Sequence, residues 1–278
     1  MRLPTPRIAF LAIVGVLLAQ KDVLMAIAVL IQWDLLLRPG ELIGLQPQQM
    51  VPPMPAANMP SWGVVLAPSE ENTVPSKANV FDESVTLSLQ VNFVLPALSA
   101  LVASRPKFFP LFPFTGVQLG QKFKDAAVFL GLRDLGITLH GNRHGSASDL
   151  RLQGTPLKEI KKRGRWAADS SVRRYEKATL AQQQAHKVPP STRLYGAFVE
   201  QQLANSSKLL EDAVRNTSES TYETFSTRHL LEDAPALTAY ALAVFGLTFN
   251  LPAVHLKETV GLRSLRRILA SGLGSSPK

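Results

Sequence analysis

The chain has 278 residues, 46% of them hydrophobic, a formal net charge of +9 and no cysteine. The apolar share excludes a disordered composition, and the length suffices for one large domain or two modest ones with a real core. The absent thiols exclude disulfides, thiol catalysis and thiolate metal sites and favour an intracellular setting, while the positive charge points to a polyanion, nucleic acid first and anionic membrane second.

Residues 8–19 form an unbroken apolar run preceded by Arg2 and Arg7, which imitates the core of a signal peptide. A second run follows at 23–31, separated from the first by Gln20, Lys21 and Asp22. Neither approaches the roughly 20 residues that span a bilayer, so both read as buried helices of a globular core. A break at Arg38-Pro39-Gly40 precedes a second helix start, and residues 46–60, with five prolines, read as a loop. Residues 62–66 read as a short strand. Residues 85–91, VTLSLQV, alternate as a half-buried strand does. The turn-rich segment between them places Lys77 on a hairpin connection. Helical patterns follow at 95–103, 118–132 and 139–152, the last with Gly145, Ser146, Ala147 and Ser148 allowing close packing. Thr155-Pro156 marks a helix start with threonine as cap, and Gly164 a stop. Asp169 or Ser170 is expected to cap a helix carrying Tyr175. Residues 187–192 read as a linker, followed by a helical stretch to about Arg215, a Ser/Thr-rich loop and two apolar segments ending in GLRSLRRILASG.

Charge is concentrated. Residues 151–177 hold nine Lys or Arg against three acids. The cations Lys161, Lys162, Arg163, Arg165, Arg173 and Arg174 are therefore the expected DNA-binding surface. In the same segment, GRWAADSSVRRYEK places one of only four tyrosines nine positions after Trp166. A phenol with an ordinary pKa of about 10 is a poor nucleophile near neutral pH, and flanking cations favour its ionised form.

Earlier in the chain stand RPGE at 38–41 and HGNRH at 140–144, the latter placing His140, Arg143 and His144 on one helix face. With Lys77 on a hairpin and GRW followed by Tyr175, the ordered set resembles the catalytic domain of the tyrosine recombinases, or phage-type integrases. Their pattern is an Arg with an acid three residues on, a hairpin Lys, His-x-x-Arg, a His or Trp, and a Tyr nine residues later. The resemblance covers about residues 23–185. It implies Arg38, Lys77, His140, Arg143, Trp166 and Tyr175 as catalytic residues, with Glu41 and His144 in support. Singly, each has a plainer reading: Arg38 as a helix-end cation, Trp166 as core, Lys77 as one surface lysine among Lys107, Lys122 and Lys124.

The chemistry asks for these residue types. Attack on a phosphodiester builds negative charge on the non-bridging oxygens, which two guanidiniums can fork onto. His140 and the Trp166 indole can add donors, and Glu41 can orient a cation. The resemblance implies Tyr175 as the nucleophile forming a 3′-phosphotyrosyl intermediate, and Lys77 as the general acid for the 5′-oxygen. Neither metal nor cofactor is then required, and the five scattered histidines have no zinc-like spacing.

The expected fold is α+β and mainly α: a helical catalytic domain over residues 1–186 with a small antiparallel sheet, then a helical extension over 187–278 of unassigned role. The family's N-terminal DNA clamp is expected to be missing, because the segment before residue 23 is too short for it. The implied partner is double-stranded DNA, with copies of the chain assembling on it, and no membrane. The implied setting is intracellular, nuclear in a eukaryotic host and otherwise cytoplasmic. Three functions stay open: a mobile-element recombinase or integrase, a type IB topoisomerase that relaxes DNA by the same chemistry, and a catalytically idle DNA-binding remnant.

Overall fold

The structure is a computed structural model that describes residues 3–69, 75 and 81–215. Helix α1 (Arg7–Ala19) is the central element, with every residue from Ala9 to Leu18 buried. A helix apolar on all sides must be enclosed by its neighbours. Here α2 (Val23–Asp34), α5 (Gly116–Phe129), α6 (Leu139–Leu152), α9 (Ala178–His186) and α10 (Pro190–Ala204) all pack against it. The two runs expected as core helices are α1 and α2. No helix among the described residues is long and apolar enough to cross a membrane.

Close approach is set by glycines. A Cβ on Gly15 would lie 2.4 Å from Val199 Cγ2, and one on Gly196 would lie 2.3 Å from the Ile8 carbonyl oxygen. Helices α1 and α10 therefore touch backbone to side chain along their shared line. Arg7 reinforces the arrangement, bridging Asp149 of α6 at 3.2 Å and Glu200 of α10 at 2.8 Å. Helices on both sides of residue 186 share this one core. The stretch expected as a linker holds buried Val188 and the first turn of α10, and Thr192 donates its hydroxyl to the Leu130 carbonyl at 2.8 Å. Helix α11 (Ser207–Arg215) packs on α4 (Leu95–Ser104). The apolar segments beyond residue 215 lie outside the described residues.

The fold is mostly helical, with one small antiparallel sheet of order β1 (Met50–Val51), β2 (Gly63–Leu66) and β3 (Glu83–Thr86). Val64 pairs with Met50 on one side and Val85 on the other. The proline-rich loop thus contributes an edge strand, a short one at the place where proline is tolerated. The strand expected over 85–91 is shifted: it begins at Glu83 and stops at Thr86. The Asp34 carboxylate accepts from the Ser88 backbone N–H at 2.9 Å and from its hydroxyl at 2.5 Å. The chain then tightens into 3-10 turns over Leu89–Val94.

Candidate functional site

The site grows from the ends of helices. Helix α2 stops where Leu36 takes a left-handed φ of 49°. Arg38 then caps α3 (Pro39–Ile43), with Pro39 in its first turn. Glu41 reaches back to accept the Arg38 backbone N–H at 2.7 Å and pairs with the Arg38 guanidinium. The RPGE stretch is thus a self-contained helix start that orients its own arginine.

Helix α6 begins with Thr138, whose hydroxyl accepts the Gly141 N–H at 3.0 Å. It presents His140, Arg143 and His144 on one side, as their spacing predicts. Gly145 allows α6 to press on the core: a Cβ there would lie 2.1 Å from the Thr5 carbonyl oxygen and 2.9 Å from the Trp33 ring.

Helix α7 (Leu157–Arg163) and helix α8 (Asp169–Tyr175) close the site. Their N-caps are Pro156 and Ala168, so Thr155 lies one residue before the cap of α7 and Asp169 sits in the first turn of α8. Gly164 does follow α7, yet its φ is −81°, and the left-handed position falls on Arg165 at φ 54°. Gly164 is required for space instead. A Cβ there would sit 2.0 Å from the Trp166 ring.

Tyr175, the last residue of α8, brings the expected residues together. Its ring stacks on His144 at 4.4 Å between centroids, and lies 4.9 Å from Trp166 and 6.1 Å from His140. The Arg143 guanidinium carbon is 4.8 Å from the Trp166 centroid and 5.5 Å from that of Tyr175. The chain beyond α8 is pinned to α6, with the Lys177 N–H donating to Ser148 Oγ at 2.9 Å. Arg38, His140, Arg143, Trp166 and Tyr175 thus form one cluster with Glu41 and His144. Lys77 lies outside the described residues.

Arg143 is fully buried. Its Nη1 donates to the Leu36 carbonyl and its Nη2 to the Gly164 carbonyl at 2.5 Å, at the C-terminal ends of α2 and α7. Helix C-termini attract cations, which explains how an arginine can reside here. Burial, then repulsion from Arg165 and Arg38, still pulls its pKa down to about 9. Two donors, Arg143 Nε and Trp166 Nε1, are buried without an acceptor. Such groups are costly to leave unpaired.

Glu41 joins three arginines. Its Oε2 accepts from Arg165 Nη2 at 2.6 Å and lies 3.9 Å from Arg143 Nη1. Burial pushes the Glu41 carboxyl up, but the Arg165 guanidinium, the Arg38 N–H and guanidinium, and Arg143 together hold it below the ordinary range.

The basic stretch divides. Lys162, Arg173 and Arg174 are exposed, as a phosphate-binding surface needs. Lys161 pairs with Asp169 at 2.6 Å and Arg163 with Asp34 at 2.9 Å. Arg165 does not belong to the outer surface: its side chain is 4% exposed and turned inward. Tyr195, the next tyrosine in the chain, is buried between α1 and α10 against Gly15, and burial pushes its hydroxyl pKa up. Sequence reasoning missed Arg165 and Glu83 as interior partners, because nothing in RGRW distinguishes an inward arginine from an outward one. No group of His, Asp or Glu among the described residues is arranged to hold a metal ion.

No protein-family model, curated protein or solved structure matches the chain.

Proposed function

We propose that the chain cleaves and rejoins DNA strands by tyrosine-mediated transesterification, in the manner of a site-specific recombinase or integrase. The observation that carries this reading is the packing of Tyr175 against His144, Trp166 and Arg143. Arg38 joins the same cluster through Glu41, from a distant part of the chain. In the reaction, Tyr175 Oη attacks the phosphorus, its proton passing to one of the two histidines beside the ring. The bond from phosphorus to the 5′-oxygen breaks, and Lys77 supplies the proton to that oxygen. The bond energy is kept in the 3′-phosphotyrosyl ester, and the reverse attack by a 5′-hydroxyl rejoins the strand. Arg38, Arg143 and the Trp166 indole stabilise the charge that develops on the non-bridging oxygens.

A second reading, a catalytically idle DNA-binding protein, is favoured by one observation: both terminal nitrogens of Arg143 already donate to backbone carbonyls. Incubation with nicked suicide substrates decides between the two. An active protein leaves a DNA adduct that survives denaturing electrophoresis. Wild-type protein that binds the duplex but leaves none is the idle form.

A further inference from the structure

Arg165 stands outside the six catalytic-type positions, yet it links three parts of the fold to the cluster. Its Nη2 donates to Glu41 at 2.6 Å and its Nη1 to the Leu35 carbonyl at 3.3 Å, while its Nε lies 3.4 Å from Glu83 Oε2 on β3. Glu41 is thereby divided between two guanidiniums, Oε1 facing that of Arg38 and Oε2 facing that of Arg165 while also accepting the Arg38 backbone N–H at 2.7 Å. Arg143, at 3.9 Å from Oε2, stands beyond hydrogen-bonding range. Three guanidiniums and two carboxylates are joined in this way, so one positive charge is in excess.

Without Arg165, Glu41 Oε2 keeps the Arg38 backbone N–H but loses its only close guanidinium, and the next cation it meets is Arg143. A largely buried carboxylate that keeps Arg38 but loses its second close guanidinium is drawn to the next cation in reach, because a buried charge with fewer partners is costly. The cluster then has two cations and two anions, and nothing in excess.

We propose that Arg165 is a positioning residue that holds Glu41 away from Arg143, so that the cluster keeps one uncompensated positive charge for a single phosphodiester group. This rests on the proposed function only in identifying that group as the scissile phosphate; the binding itself requires no strand cleavage.

The test is a titration of the full chain with dimethyl phosphate, a phosphodiester carrying one charge, followed by phosphorus NMR. Circular dichroism checks the folding of each variant. Wild type is expected to bind saturably, and Arg165→Met to bind roughly tenfold or more weakly. Arg165→Met combined with Glu41→Gln is expected to recover most of that loss, because the carboxylate charge that Arg165 offsets is gone. Arg165→Lys is expected to fall between, since one ammonium cannot fork to Glu41, Glu83 and the Leu35 carbonyl together. A strut without an electrostatic role would not be rescued by Glu41→Gln. The proposal is overturned if wild type binds no dimethyl phosphate, if Arg165→Met binds as wild type does, or if the double variant stays as weak as the single one. It is equally overturned if Arg165→Met unfolds the chain both with Glu41 and with Gln at position 41. Wild type that binds the diester but forms no DNA adduct overturns the proposed function and leaves this inference standing.

Discussion

The rings of His144 and Tyr175 are stacked, 4.4 Å apart at their centroids and 22° from parallel. The place of Tyr175 is thus set by its ring faces, between α6 and Trp166.

Tyr175→Phe keeps those faces and removes only the hydroxyl. The variant is expected to unfold within about 1 kcal/mol of wild type and to bind duplex DNA equally well. It should form no covalent adduct with suicide substrates. A persisting adduct would identify another nucleophile.

The outer cations act differently from the inner one. Arg173 and Arg174 are exposed on α8, whereas Arg165 is interior. Replacing Arg173 and Arg174 together by alanine should reduce the slope of log affinity against log salt by roughly 1.8, for two lost phosphate contacts. Arg165→Met should reduce it by no more than about 0.9, for the single phosphate that the inner cluster takes up. Fluorescence anisotropy with a labelled duplex at several salt concentrations measures both.

Glu41 gives the fold an acid-sensitive contact. Its folded-state pKa lies below the ordinary value of 4.5, so between the two values the unfolded chain binds more protons than the folded one. Its contribution is therefore complete above pH 4.5 and is lost as pH falls through the depressed value. Glu41→Gln is expected to be less stable than wild type by about 1–3 kcal/mol at pH 7. The two proteins should converge below pH 4.5, as followed by urea unfolding across that range.

Gly145→Ala tests the seating of α6. The added methyl would meet the Thr5 carbonyl oxygen at 2.1 Å and the Trp33 ring at 2.9 Å, and neither is a flexible side-chain end. A loss of roughly 2–3 kcal/mol in thermal unfolding is expected. Adduct formation should fall as well, because α6 carries His140, Arg143 and His144.

Much of the site was legible because its residues obey helical spacing. His140, Arg143 and His144 share a face as i, i+3 and i+4 require, and the RPGE stretch begins a helix where proline and glycine interrupt the pattern. The missed features are those that tertiary contacts decide. Residues 87–91 alternate like a strand, yet Asp34 captures Ser88 from a distant part of the chain and ends the pairing. Gly164 read as the stop of α7 and does follow it, but the indole next to it claims the space of its missing side chain, and the left-handed backbone position falls on Arg165. That displacement turns an apparent surface arginine inward. Local sequence has no means of registering it.

The enclosure of α1 also has a consequence for synthesis. Arg7 and its partner Glu200 are 193 residues apart, so at about 5–20 residues per second roughly 10–40 s separate their appearance at the ribosome. Throughout that interval the most continuously apolar helix among the described residues lacks the flank that α10 provides. Newly made chains should consequently depend on holding chaperones until residue 204 has emerged. The same dependence makes residue 186 a poor place to cut: a fragment ending there, though it spans every catalytic-type position, leaves Gly15 and its neighbours bare and is expected to aggregate.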